Sequence, residues 1–257
     1  MRAFCVDHSV PGSLAWAVET EAGWIVYTGD LRFHGRTGHL TESFIAEAAR
    51  LRPVALITEG TRIEEGRSVS EQEVQGRVLE VAKRTKGRLL IADFGPRNVE
   101  RLICFLEVAR ETSRQLVVTP KDAYLLKALR LVDDGVPDID VDEHIRIYQK
   151  TTAEAYPDLW QRELFARCGR QIVLASEIRC NPGDFIVCFS LYELNELPSL
   201  PRGGVYIYSS SEPHDEEAMI DFRRLHRWLD HFQMLSLIHI SEPTRLGMIS
   251  YAVFCLK

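Results

Sequence analysis

No apolar run in this 257-residue sequence reaches the length of a membrane span, and the N-terminus lacks the pattern of a secretory leader. No membrane-spanning helix is expected within these residues, and the cytoplasm is the expected compartment unless an upstream start carries a leader. Cysteine pairs at metal-binding spacing are also missing. Cys5, Cys104, Cys168, Cys180, Cys188 and Cys255 form no C-x-x-C, so neither a disulfide framework nor a cysteine–zinc site is expected. Cys5, Cys104 and Cys188, set in apolar patterns, read as small buried hydrophobes. A basic excess is missing too: 31 Lys and Arg against 37 Asp and Glu leave a net charge of -6. Nucleic acid would feel no general attraction, and any RNA binding must come from a local basic cleft or from metal ions. There is no internal repeat and no low-complexity segment, which sets aside solenoids and disordered chains. What is present, 46% hydrophobic and 26% charged residues, suffices for a substantial core in one large or two smaller domains.

His8 and Asp30 are the most telling pair. Phe4 and Val6 lead into Asp7-His8, and Trp24-Ile25-Val26-Tyr27 leads into Thr28-Gly29-Asp30, so each stands where an expected strand ends, at the rim of one sheet. Between them, a strand from Ser13 to Thr20 and the turn Glu21-Ala22-Gly23 form a hairpin with the Trp24 strand. An imidazole can ligate one zinc, and a carboxylate on a neighbouring strand can bridge two, which is how a hydroxide nucleophile is held. A hydrogen-bonded turn accounts for the same two residues, and spacing leaves both readings open.

Further along, Thr41 to Leu51 is expected as a helix with Phe44, Ile45, Ala48 and Leu51 on one face, and Pro53 to Thr58 as the buried strand that delivers Glu59. A boundary follows in Glu64-Glu65-Gly66-Arg67-Ser68. Ser70-x-x-Glu73 reads as a capping box opening a helix through Val74, Val78, Leu79 and Ala82, stopped by Lys86-Gly87. Strands are then expected at Leu89 to Phe94, Gln115 to Val118, Ile172 to Ala175, Asp184 to Phe189 and Val205 to Tyr208. Helices are expected on the Val99, Leu102, Ile103, Leu106, Ala109 stripe, from Tyr124 to Leu131, from Leu159 to Cys168, and from His214 to Phe232. The last carries Ala218, Phe222, Leu225, Leu229 and Phe232 as its core stripe, with Asp215, Glu216 and Glu217 suited to the positive end of its dipole. Asp133 to Glu143 reads as a solvated acidic loop. Repeated strand–helix units predict a parallel sheet with helices on both faces.

The stretch from Phe4 to Thr61 resembles the metallo-β-lactamase superfamily in its β-CASP branch, which includes ribonuclease J. The segments that carry the likeness are Asp7-His8-Ser9, Thr28-Gly29-Asp30 and Thr58-Glu59-Gly60, in the family's order. The resemblance implies that His8 is a zinc ligand, that Asp30 is a bridging carboxylate, and that Glu59 is the catalytic-site acid before the β-CASP domain. It implies an α/β fold: a partial αββα lactamase core over residues 1–67, then a Rossmann-like β-CASP domain with a mostly parallel sheet over 68–234. The family's H-x-H-x-D-H segment is not in this chain, and two further His motifs would follow Met234, so a fragment truncated at both ends is expected. From Leu235, the string L-S-L-I-H-I-S-E-P-T-R resembles the translation of a transposase-type sequencing-library adapter. Ile249 to Lys257 resembles the flow-cell adapter that follows it, with Leu246-Gly247-Met248 filling the barcode gap. On that reading 235–257 lies outside the fold, the alternative being a genuine strand over Ser250 to Leu256.

Ser209-Ser210-Ser211, after the Val205 strand, resembles the family's S-S-S segment, where hydroxyls at a helix start suit phosphate. Arg97 and Asn98 open a helix after a strand, where anion contact and simple capping are both open. Together these five residues form the expected RNA or phosphate rim. His34 and His39 read as loop polar residues, and His214, His226 and His231 as surface residues. Asp93-Phe94-Gly95 is no kinase signature, since its partner motifs are absent.

The function implied by the resemblance is that of a ribonuclease J-like phosphodiesterase whose intact parent uses two zinc ions and acts on RNA more than DNA. This chain is expected to be inactive by itself, with no membrane partner and homo-oligomerisation left open. Two other readings stay available: a lactamase-fold hydrolase of another ester or phosphoester, or a catalytically dead paralogue that binds RNA or protein.

Overall fold

The computed structural model describes residues 1–59, 70–95, 97–150, 158–209, 216–237 and the backbone of 251–255. In chain order the elements are β1 (Arg2–Cys5), β2 (Leu14–Thr20), β3 (Gly23–Tyr27), α1 (Gly38–Arg50), β4 (Ala55–Glu59), α2 (Glu71–Arg84), β5 (Leu90–Asp93), α3 (Val99–Glu111), β6 (Gln115–Val118), α4 (Pro120–Arg130) and β7 (Ile145–Gln149). They continue with α5 (Leu159–Arg167), β8 (Ile172–Leu174), α6 (Ala175–Cys180), β9 (Phe185–Cys188), a 3-10 stretch Leu191–Ser199, β10 (Val205–Tyr208), α7 (Glu216–His231), β11 (Leu235–Leu237) and β12 (Tyr251–Cys255). Among the described residues no helix is long and apolar enough to cross a membrane.

The chain divides into two compact units: Met1–Glu71 with Asn98–Glu100 and Pro243–Lys257, and Gln72–Arg97 with Arg101–Glu242. The first is built on a mixed sheet of order β1-β2-β3-β4-β12. Its hairpin pairs Trp16 with Tyr27 and Thr20 with Gly23, and Ala15 and Ala17 point inward with period two. These small side chains leave room for α1, whose Phe44 and Ala48 close a core with Val6 and Val26, the Phe4 and Phe44 rings meeting at 5.5 Å. Ile45, expected on that stripe, is 46% exposed because it lies about 100° around the helix from Phe44. Cys5, expected to be buried, is exposed, since β1 is an edge strand; Cys104, Cys168 and Cys188 are buried, and none of the five described cysteines forms a disulfide. β12 pairs antiparallel with β4, from Tyr251 opposite Glu59 to Cys255 opposite Ala55.

The second unit holds a seven-stranded sheet of order β11-β10-β5-β9-β6-β7-β8, every pair of which is parallel. Its central strands are buried without alternation over Leu90–Asp93 and Phe185–Cys188, as a sheet covered on both faces requires. The α/β class expected from the sequence is therefore what the chain adopts. Four elements escape the sequence reading: β11, which pairs parallel with β10 although it opens the segment expected outside the fold, and three others. β7 follows the acidic loop directly and buries Ile145, Ile147 and Tyr148. α6 and the 3-10 stretch Leu191–Ser199 are also unanticipated, being too short for a periodic stripe to emerge.

Candidate active site at the rim of the mixed sheet

β1 and β3 both run antiparallel to β2, and β4 runs parallel to β3, so the segments leaving β1, β3 and β4 emerge on one edge. That edge carries Asp7-His8, Thr28-Gly29-Asp30 and Glu59. One expectation is corrected here: β2 separates the strands of His8 and Asp30, which are not neighbours. A loop crosses the gap instead. The Arg32 N–H donates to the Asp7 carbonyl at 2.9 Å and the Leu31 N–H donates to Glu59 Oε1 at 2.6 Å, so Asp30 is slung between the ends of β1 and β4. Gly29 permits the turn, with φ +59 and a position where an added Cβ would lie 3.3 Å from the Leu14 carbonyl oxygen. The Thr28 N–H donates to the Ile57 carbonyl at 3.0 Å, and its hydroxyl donates to the Gly29 carbonyl at 2.7 Å.

The three expected residues are in different states. Asp30 is exposed, and its carboxylate has no hydrogen-bond or ion-pair partner among the described residues. Glu59 is half-buried and committed to Leu31. Half-buried His8 accepts the Val10 N–H at Nδ1, 3.3 Å away. In the neutral ring this puts the proton on Nε2, so ligation of a metal through Nε2 requires the Val10 bond to yield. His34 is half-buried and His39 exposed.

The brace behind this loop is a pair that sequence reasoning missed. Asp7 is fully buried and accepts from Arg32 Nε at 3.2 Å, the Gly35 N–H at 2.9 Å and the Thr37 hydroxyl at 2.7 Å, while its own N–H donates to Thr41 Oγ1 at 2.9 Å. Arg32 also pairs with Glu71 at 3.7 Å and with Glu100. Burial pushes the Glu100 carboxyl above its ordinary range, against the pull of Arg32. The signal was an aspartate next to a strand end and an arginine two residues past Asp30, but neither residue has a periodicity that announces a buried pair. Among the described residues no group of three or more His, Cys, Asp or Glu could hold a metal ion. His8 and Asp30 thus do not by themselves fit a zinc centre, which takes four donors.

In the parallel sheet, β5 and β10 are adjacent, so Asp93 and Ser209 leave it side by side. Arg97 is exposed and held at φ +68, a left-handed conformation that costs a non-glycine residue free energy, and Asn98 is half-buried. Ser209 turns inward: it is 3% exposed, its carbonyl accepts from Arg101 Nη1 at 2.9 Å, and its hydroxyl accepts from the same nitrogen. Its hydroxyl is therefore buried against Arg101, accepting there while its O–H remains a donor. Ser210 and Ser211 lie outside the described residues. The rim also carries acids that the sequence reading passed over. Asp93 is buried, accepts from the Tyr206 hydroxyl at 2.6 Å, and has its pKa pushed from 3.8 up to about 7 by burial, with nearby Glu193 adding to the rise. Burial raises the Asp122 carboxyl as well.

No protein-family model matches the chain. It is 27% identical over 150 residues to a ribonuclease J of Sinorhizobium meliloti, covering 57% of this chain and 25% of that protein. Likewise it is 31% identical over 151 residues to a ribonuclease J of Mycobacterium tuberculosis H37Rv, covering 54% and 27%, and 31% over 134 residues to a ribonuclease J 2 of Streptococcus pyogenes serotype M3, covering 50% and 24%. The chain spans about a quarter of the length of these relatives. A solved structure of a protein of unknown function from Enterococcus faecalis V583 superposes with TM-score 0.69 at 22% identity, over 91% of this chain and 50% of that one, a likeness of fold.

Proposed function

We propose that the chain is part of a ribonuclease J-like, metal-dependent phosphodiesterase acting on RNA, with His8 and Asp30 as two ligands of its zinc centre. The observation that carries this reading is the rim itself: three strand ends meet on one edge, and the only one of the three expected side chains without a partner among the described residues is the Asp30 carboxylate, on a loop braced by Asp7 and Glu59. The likeness to several ribonucleases J supports it. Glu59 acts by holding the Asp30 loop. Bound metal would supply hydroxide at neutral pH and offset charge on a phosphoryl group. Two protein donors are too few to hold zinc against water, so residues 1–257 by themselves are inactive. The H-x-H-x-D-H segment that the resemblance implies would complete the site. Arg97 and Asn98 form the phosphate-facing rim, and the strain at Arg97 accords with a residue kept for contact.

Zinc titration by calorimetry, with turnover of a 5′-monophosphorylated RNA, tests this on the present chain and on one extended upstream by the metal-binding segment. The present chain should bind zinc at micromolar affinity or weaker without turnover. The extended protein should bind tightly and lose activity on Asp30→Asn. Tight dinuclear binding by residues 1–257, or an extended enzyme indifferent to Asp30→Asn, would overturn the reading.

A further inference from the structure

α7 carries a second feature that the rim does not use. On a helix, Ile220, Arg223, Arg224, Arg227 and Trp228 fall on one stripe, and they line a cavity of about 540 Å³. A second cavity, of about 670 Å³, shares Arg227 and Trp228 and continues to Arg202 and Phe232. The groove so formed follows α7 for roughly 16 Å at 1.5 Å per residue. Its far end is at the amino end of β10, where the Gly203 N–H donates to the Phe232 carbonyl, opposite to the edge that bears Ser209. Asp221 and Asp230 flank the stripe, about 80 to 100° around the helix from its centre.

The lining is a particular chemical combination. Arg223, Arg224 and Arg227 form no ion pair with a carboxylate among the described residues. The floor is aromatic: Trp228 and Phe232 stack at 5.7 Å, and the Arg202 guanidinium lies 5.5 Å above the Phe232 ring. Every cation of the groove's stripe is arginine and none is lysine, which suits bidentate contact with phosphate and stacking on flat rings. In a chain of net charge -6 this is a local reversal of sign. We infer that the groove along α7 binds a short run of single-stranded nucleic acid, the arginines holding its phosphates and the half-buried Trp228 ring, backed by Phe232, receiving a base. An aromatic platform beside a line of cations is how single strands are held without regard to sequence. This deepens the RNA-binding reading above and rests on it for the choice of ligand.

The test uses the full chain and a fluorescein-labelled single-stranded 12-nucleotide RNA, with binding measured by anisotropy across a salt series without added metal. The double variant Arg223→Glu, Arg227→Glu reverses two charges of the groove, and its thermal unfolding checks that the fold is kept. Affinity should fall at least about tenfold, and the slope of log K against log salt should become shallower by roughly 1.4, two phosphate contacts at about 0.7 each. Trp228→Phe should remove a quenching of tryptophan emission that RNA produces in the parent chain. Unchanged affinity and slope in the double variant would overturn the assignment. So would equal affinity for an acidic peptide of matched charge, or concentration-dependent dimerisation that the same variant abolishes. Zinc binding and turnover bear only on the rim, and Arg97→Ala should leave the Trp228 quenching in place.

Discussion

Replacing Asp93 by asparagine is the perturbation whose outcome the structure specifies most fully. The carboxyl is buried at the end of β5 and its pKa rises from 3.8 to about 7, chiefly through loss of hydration, while the Tyr206 hydroxyl donates to it at 2.6 Å. Between those two values the folded chain binds more protons at this site than the unfolded chain does. Stability therefore falls as pH rises through that window, with a slope near 1.4 kcal/mol per pH unit and a total of about 4 kcal/mol, complete once pH passes about 7. Below pH 4 both states are protonated and the effect vanishes. The introduced amide would keep an oxygen to accept from Tyr206 and has no charge to bury, though its N–H groups would lack a partner at a cost of about 1 kcal/mol. The Asp93→Asn variant should then be slightly less stable than the parent near pH 4 and more stable by about 3 kcal/mol at pH 8. Urea unfolding from pH 4 to 8.5 measures the difference curve. A difference that stays constant across that range would refute the argument, because nothing but titration of Asp93 makes the two proteins diverge with pH.

Three other outcomes follow from the same structure. Asp7→Ala removes three accepted hydrogen bonds from a fully buried carboxylate and leaves Arg32 with Glu71 and Glu100 as its carboxylate partners among the described residues, so urea unfolding should show a loss of about 3 kcal/mol. Arg97→Gly relieves a left-handed backbone at φ +68 and should raise stability by about 1 kcal/mol in thermal unfolding while weakening RNA binding at the rim. Ending the chain after Leu237 deletes β12, whose pairing with β4 is the generic backbone match of an apolar segment to an open sheet edge; the melting temperature should shift by no more than about 2 °C, and a loss of several degrees would make that segment a working part of the fold.

Periodicity and punctuation alone determined a good deal. The hairpin between Leu14 and Tyr27, the strand that ends at Glu59, and the run of strand–helix units from β5 to α7 are written locally, in alternation, stripes and turn residues, so they are legible in one dimension. So are the motif residues at strand ends, because a strand's length dictates where its rim lies. What only the tertiary structure decided is which rim residues are free to act. Sheet order is set by long-range pairing, and it put β2 between His8 and Asp30 and made a loop, not adjacency, their connection. Burial of polar side chains likewise has no local signature: Asp7 and Arg32 became an internal brace, Ser209 was buried against Arg101, and Asp93 was desolvated against Tyr206. The arginines of α7 show the converse, for their helical stripe becomes a groove only when the loop carrying Arg202 and the ring of Phe232 close its far end. Local sequence specifies which elements form; the free energy of burying or leaving open each polar group depends on neighbours distant in the chain.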